Sequence, residues 1–241
     1  MRKKVVPKIL LIAFFLFSVF QVLSYIYSGD KSERLTKSLI DDSIVESDDN
    51  TYTTIPFVLK FDELQKKNKD IIAWIYCENT PINYPVLRCE DNSYYLNHLP
   101  DGQYNKNGSL FVDYRCSSNF SDFNTIIYGH NMKTEKMFGS LTNYKRQSYY
   151  DEHPIIYLLT PQQSYQIKLV SGFITSSDSN VYSFSETFKE RKEFIDYAQL
   201  NSVFTSGVKI TETDNLITLS TCSYENSNAR FVVIGKIEKI I

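Results

Sequence analysis

Apolar residues are distributed along this chain in two different ways. From Ile9 to Tyr27 they form a run of 19 uncharged residues, interrupted only by Ser18, Gln21 and Ser24. That is about the length a helix needs to cross the hydrocarbon core of a bilayer. Beyond residue 56 they come instead in short groups. Phe57, Phe61 and Leu64 recur at helical spacing, which predicts a helix ending near Asn68. Strand-like runs follow at Ile71 to Tyr76, Ile82 to Leu87, Ser109 to Asp113, Thr125 to Tyr128, Ile155 to Leu159 and Tyr165 to Ile174. Two more close the chain: Asn215 to Cys222 and Phe231 to Ile234, joined by the polar loop Ser223 to Ala229. Many short strands with turn signals between them predict a barrel or a sandwich. Between the two halves of that pattern, Phe184, Phe188, Ile195 and Ala198 lie near one helical face, with capping-box spacing at Ser183 to Glu186 and a solvated run from Lys189 to Glu193.

Charge refines the N-terminal reading. Residues 1–27 hold Arg2, Lys3, Lys4 and Lys8 and no acid, so the remainder carries 22 basic against 28 acidic residues, a formal net of −6. A basic cluster ahead of an apolar run keeps the N-terminus cytoplasmic and sends the rest outside. A cleaved signal peptide is the alternative, with Leu11 to Phe20 as its apolar region, but Gln21 to Tyr25 offers no small-x-small cleavage site. The expected division is a basic tip and signal anchor over 1–27, an acidic extracellular tether over 28–55 in which Leu35 to Val45 suits a short helix, and one folded domain over 56–241. With 42% hydrophobic and 15% aromatic residues that domain has ample volume to bury. The small overall charge of −2 gives no sign of a nucleic-acid partner.

Candidate chemistry centres on Cys222, which ends the strand-like Thr218-Leu-Ser-Thr-Cys222 beside a loop. A thiol attacks as thiolate, and a neighbouring imidazolium or guanidinium favours that form. Arg230 opens the returning strand, so pairing of the two strands brings its guanidinium near the sulfur. His130 follows the strand Thr125 to Tyr128 and a glycine, where side chains become available. The other histidines read as structural, His98 at a helix end and His153 in a turn before Pro154. The remaining cysteines, Cys77, Cys89 and Cys116, read as structural, and Cys77 and Cys89, which flank a hairpin, leave their pairing open. No metal-ligand spacing is present.

The segments Asp70-Ile-Ile-Ala-Trp-Ile75, Ile82-Asn-Tyr-Pro-Val86, Asp91-Asn-Ser-Tyr-Tyr-Leu-Asn-His98, Asn107-Gly-Ser-Leu-Phe-Val-Asp-Tyr-Arg115, Thr125-Ile-Ile-Tyr-Gly-His-Asn-Met132 and the TLSTC element with its downstream Arg230 resemble those of the class B sortases. They cover most of the chain from about Phe57 onward. The resemblance implies a mainly β, α+β fold: a closed barrel with an N-terminal helical element and a long helix-bearing insertion before the last strands. It implies a cysteine transpeptidase that cleaves a C-terminal sorting signal of exported proteins after Thr, holds the acyl group on Cys222 as a thioester and passes it to a cell-wall peptide amine. His130 is then the acid-base residue and Arg230 the group facing substrate or oxyanion, with Asn92 and Ser220 lining the pocket. No cofactor is required. The loop after Cys222 offers Glu225 as its one acid, so a strict Cys-His-Asp triad is not assumed. Two rival readings stand beside this one. A papain-like cell-wall peptidase or amidase places Cys before His, the reverse of the order here. An inactive wall-binding barrel predicts loss of at least one of Cys222, His130 and Arg230.

Overall fold

The computed structural model of the chain describes residues 5–45, 55, 57–184, 187–225 and 227–240. It opens with a helix, α1 (Val5–Ser43), followed by β1 (Ile44–Val45), β2 (Val58–Leu59) and the short α2 (Phe61–Lys67). β3 (Ile71–Tyr76) and β4 (Asn83–Leu87) form an antiparallel pair, and β5 (Leu110–Val112) lies parallel to β4. β6 (Asn124–Tyr128), α3 (Gln147–Glu152), β7 (Ile155–Leu159) and β8 (Ser164–Ser176) follow. Then come α4 (Phe188–Leu200), β9 (Leu216–Cys222) and β10 (Ala229–Lys239).

Eight of these strands close into a barrel in the order β10-β8-β7-β3-β4-β5-β6-β9, and β1 and β2 form a separate ribbon. Ala73, Ile75, Val86, Val112, Ile127, Leu158, Ile167, Leu219, Phe231 and Val233 fill the barrel interior. Alternate residues point outward, yet they are largely covered. The C-terminal part of α1 together with α2 buries Trp74, Leu87, Phe111 and Tyr157, and the insertion between β8 and β9 buries Phe173, Leu216, Val232 and Ile234. Two covered faces explain why β9 reads as a nearly continuous apolar and β-branched run rather than a strict alternation.

Two local expectations are corrected. Residues 28–43, expected as a tether with a short helix only over Leu35 to Val45, are helical throughout as the continuation of α1 and pack on the barrel, with Leu39 only 2% exposed and Ser43 fully buried. Leu35, Leu39 and Ile40 form one apolar stripe on that helix, and its docking outweighs the acidic composition around it. Residues 46–54 of that segment lie outside the described residues. The second correction concerns α4. Its capping box is Thr187 with Glu190, not Ser183 with Glu186: the Thr187 hydroxyl accepts from the Glu190 amide and the Glu190 carboxylate accepts from the Thr187 amide. Residues 185 and 186 lie outside the described residues. Starting the helix there buries Phe194, Ile195 and Ala198 while leaving Phe188 65% exposed. Phe184 stands outside the helix, stacked against the Arg115 guanidinium at 4.6 Å.

Candidate active site

Strand register and one shared cavity bring the three candidate residues together. β10 pairs antiparallel with β9 so that Arg230 faces Cys222 directly, and residues opposed in this way project to the same side of the sheet. β6 runs parallel to β9 on the other side, with Tyr128 opposite Ser220. His130 lies two residues past Tyr128, just as Cys222 lies two past Ser220 on β9. The exit of β6 is held by the Gly129 amide donating to the Ser220 carbonyl at 3.1 Å and by the Thr221 hydroxyl donating to the Gly129 carbonyl at 2.8 Å. Position 129 has no room for a side chain. A Cβ there would stand 2.4 Å from Leu110 Cδ2 and 2.6 Å from Phe138 Cδ2.

His130 Nε2 lies 2.8 Å from the Leu96 carbonyl oxygen. A carbonyl only accepts, so this bond needs the proton on Nε2 and leaves Nδ1 as the other nitrogen for exchange. Asn131 fixes the neighbouring backbone: its Nδ2 donates to the Cys222 carbonyl at 2.7 Å, and its own carbonyl accepts from the Tyr224 hydroxyl at 2.9 Å. Arg230 donates to the Ala229 carbonyl at 3.0 Å and pairs with no carboxylate among the described residues. Cys222, His130 and Arg230 all border one cavity of about 500 Å³ on the outer face of the barrel, under the insertion. The candidate residues from the sequence are therefore assembled in one place.

Asn92 and Ser220 border the same cavity. Asn92 Oδ1 accepts from the Tyr114 amide at 2.9 Å, which orients its side chain. The Ser220 hydroxyl is 2.8 Å from that of Tyr182, whose ring stacks on Tyr128 at 6.1 Å. Burial pushes the Tyr182 hydroxyl above its ordinary pKa, so it remains a neutral hydrogen-bonding group. Tyr182 is the residue that sequence reasoning missed. It lies in a short 3₁₀ turn, Asn180–Tyr182, on the insertion, and nothing local in the sequence points it at Ser220. Tyr128 carries a readable signal, since it ends β6 two positions before His130.

Beneath the cavity, Asp113 is wholly buried. Burial alone would raise its pKa, but bonds from Arg115 Nε at 2.8 Å, Arg115 Nη2 at 2.7 Å and the Tyr128 hydroxyl at 2.9 Å outweigh it and hold the carboxyl below its usual range. Arg115 then reaches the insertion through the Phe184 ring, tying wall to floor. Glu225, the acid in the loop after Cys222, does not orient His130. Lys145 bonds it at 2.5 Å and Ser223 donates to it, and together they push its pKa down to about 2. No cluster of His, Cys, Asp and Glu suited to a metal is found among the described residues. His98 stacks on Tyr94 with ring centroids 4.0 Å apart, and the His153 amide caps α3, so both are structural.

Comparison with known proteins agrees with this arrangement. A family model described as the Sortase domain matches residues 75–238. Sortase B of Listeria monocytogenes serovar 1/2a is 35% identical over 230 residues, spanning 92% of this chain and 92% of the relative. A Staphylococcus aureus sortase B–substrate complex superposes with a TM-score of 0.72 at 36% identity, over 75% of this chain and 85% of that one. A sortase B structure complexed with triglycine gives the same score and identity, over 75% and 86%. The chain belongs to the sortase family, the cysteine transpeptidases that anchor proteins to the cell wall. Within it, the relatives and the closed barrel with its N-terminal helices set the chain in class B.

Proposed function

We propose that catalysis runs through Cys222, His130 and Arg230 in two acyl transfers. The Cys222 thiolate attacks the carbonyl carbon of a Thr in the sorting signal of an exported protein, and the electron pair moves to the carbonyl oxygen. Arg230 faces that developing oxyanion with a permanent planar cation. As the intermediate collapses, the C–N bond breaks and the imidazolium of His130 gives the departing amine its proton, leaving a thioester on Cys222. Neutral His130 next takes a proton from an incoming cell-wall peptide amine. That amine attacks the thioester, the C–S bond breaks and the thiolate is restored.

One observation carries this reading: β9 lies between β6 and β10 with Cys222 opposite Arg230 and two strand positions past the Tyr128–Ser220 pair. The substrate and triglycine complexes of related enzymes support a peptide substrate and an amine acceptor here. Asn92 and Ser220 line the peptide's path, Ser220 held by Tyr182. The same proposal gives the enzyme an uncleaved signal anchor over 1–27, an N-terminus in the cytoplasm, an outer segment over 28–55 and a catalytic domain over 56–241 outside the cell. It rests on the apolar N-terminal half of α1 and the basic residues before it. The test incubates the enzyme with a panel of sorting peptides, with and without an amine acceptor. Cleavage after Thr and an amine adduct are expected; hydrolysis alone, unaffected by any amine, would make it a peptidase.

A further inference from the structure

The point where α1 leaves its apolar run is also the point where it meets the barrel. Ser28, the first residue past that run, accepts a hydrogen bond through its carbonyl from Asn105 Nδ2 at 3.0 Å. One turn on, Lys31 bonds Gln103, and Glu33 pairs with Lys136. Ser32, Leu39 and Ser43 are buried against the domain. With no break between residues 5 and 43, the domain cannot swing freely on the segment that would span the bilayer. The contacts of Asn105 with Ser28 and of Gln103 with Lys31 put the turn at 101–106 level with the end of that span.

That turn presents an aromatic side chain to solvent. Tyr104 is 72% exposed, and Tyr27, on the last apolar turn of α1, is 71% exposed. The Ser28–Asn105 and Lys31–Gln103 contacts join the two segments that carry them. Tyrosines with an apolar ring and a polar tip concentrate where hydrocarbon gives way to headgroups. Resting on the membrane span proposed above, we infer that the turn at 101–106 docks on the lipid headgroup layer, with Tyr104 and Tyr27 in one interfacial belt. The occupant of this surface is a phospholipid bilayer. Its consequence for the enzyme is geometric. His98 pairs with Tyr104 as an isolated antiparallel bridge, and two residues before it Leu96 holds His130. The wall of the active site and the membrane contact therefore belong to one loop, and the cavity is held at a fixed height above the lipid.

Depth-dependent tryptophan quenching in the full-length chain tests this, because the single native tryptophan, Trp74, is fully buried. Y104W, F17W and L200W would be reconstituted into nanodiscs containing lipids labelled with a quencher near the headgroup or deep in the chains. Leu200 is 85% exposed at the end of α4, which packs over β8 on the side of the barrel away from α1. Y104W is expected to lose fluorescence to the shallow quencher, F17W to the deep one, and L200W to neither. Quenching of F17W with Y104W as unaffected as L200W overturns the docking while keeping the span. No quenching of F17W overturns the span itself. Hydrogen exchange on the unsubstituted chain gives a second readout: amides 101–106 are expected to slow in nanodiscs relative to detergent, and equal rates contradict the contact.

Discussion

The barrel holds cysteines in two kinds of surroundings, and the contrast between them supports the place proposed for the chemistry. Cys116 is sealed between strands with its thiol 3.9 Å from the Asn124 carbonyl, and burial pushes its pKa up to about 11. Cys77 lies in the same core against Tyr144, and burial raises it too. At Cys116 the neighbouring Arg115 charge offsets only a small part of the loss of solvent, and at Cys77 the nearby Glu78 charge adds to it, so each behaves as a small apolar side chain. Cys222 ends its strand partly exposed, with Arg230 across the ladder and an open cavity in front that His130 also borders. Cys77 and Cys89, whose pairing the sequence left open, are both free thiols. Cys222 differs from the buried thiols in where its strand stops and in what flanks it.

The largest effect is expected from Cys222→Ala, which removes cleavage and the acyl-enzyme altogether while the melting temperature stays close to that of the parent, because a small side chain at a strand end is changed. Cleavage assays and thermal melts check it, and retained cleavage would break the contrast between the two environments. His130→Ala is expected to lower kcat/KM by about 10²- to 10⁴-fold. Arg230→Lys should cost on the order of 10²-fold, since an ammonium keeps the charge and loses the planar fork. Full activity in the lysine variant would reduce Arg230 to a source of positive charge.

Most of this contrast was legible before any coordinates. TLSTC with Arg230 downstream and YGHN upstream are local motifs, and the strand runs that carry them are short, bounded and β-branched. The barrel and the helix-bearing insertion follow from the same runs and from the family resemblance. What stayed hidden depends on contacts between distant segments. Tyr182 reaches Ser220 only because the insertion folds back over β9, and Asp113 meets Tyr128 only across the β5–β6 pair. The helical stripe Leu35, Leu39 and Ile40 is visible in sequence, but its acidic surroundings read as a solvated tether until the surface it packs on is known. The cap of α4 was misplaced because two successive Ser/Thr-x-x-Glu patterns begin at Ser183 and Thr187, and local spacing cannot choose between them.

Smaller perturbations sharpen the comparison. Alkylation of the native enzyme should modify Cys222 first and leave Cys77 and Cys116 untouched until the fold opens, as peptide mapping over time would record. Tyr182→Phe removes the bond to Ser220, worth about 0.5–1.5 kcal/mol, and is expected to raise KM for the sorting peptide by a few-fold with kcat little changed. An equal fall in kcat would give Tyr182 a part in the chemistry instead. The smallest effect belongs to Glu225. Lys145 and Ser223 depress its pKa in the folded state, so its contribution to stability is present above the ordinary carboxylate range and is lost as pH falls toward about 2. Glu225→Gln should therefore match the parent's stability in strong acid and fall slightly below it at neutral pH, with turnover unchanged.

The central claim is that Cys222 alone carries the acyl group. Intact-protein and peptide mass spectrometry on enzyme quenched during turnover of a sorting peptide tests it directly. The account predicts one added acyl mass, on the peptide containing Cys222, that disappears when an amine acceptor is supplied; an adduct on Cys77, Cys89 or Cys116, or turnover with an adduct that no amine can discharge, would contradict it.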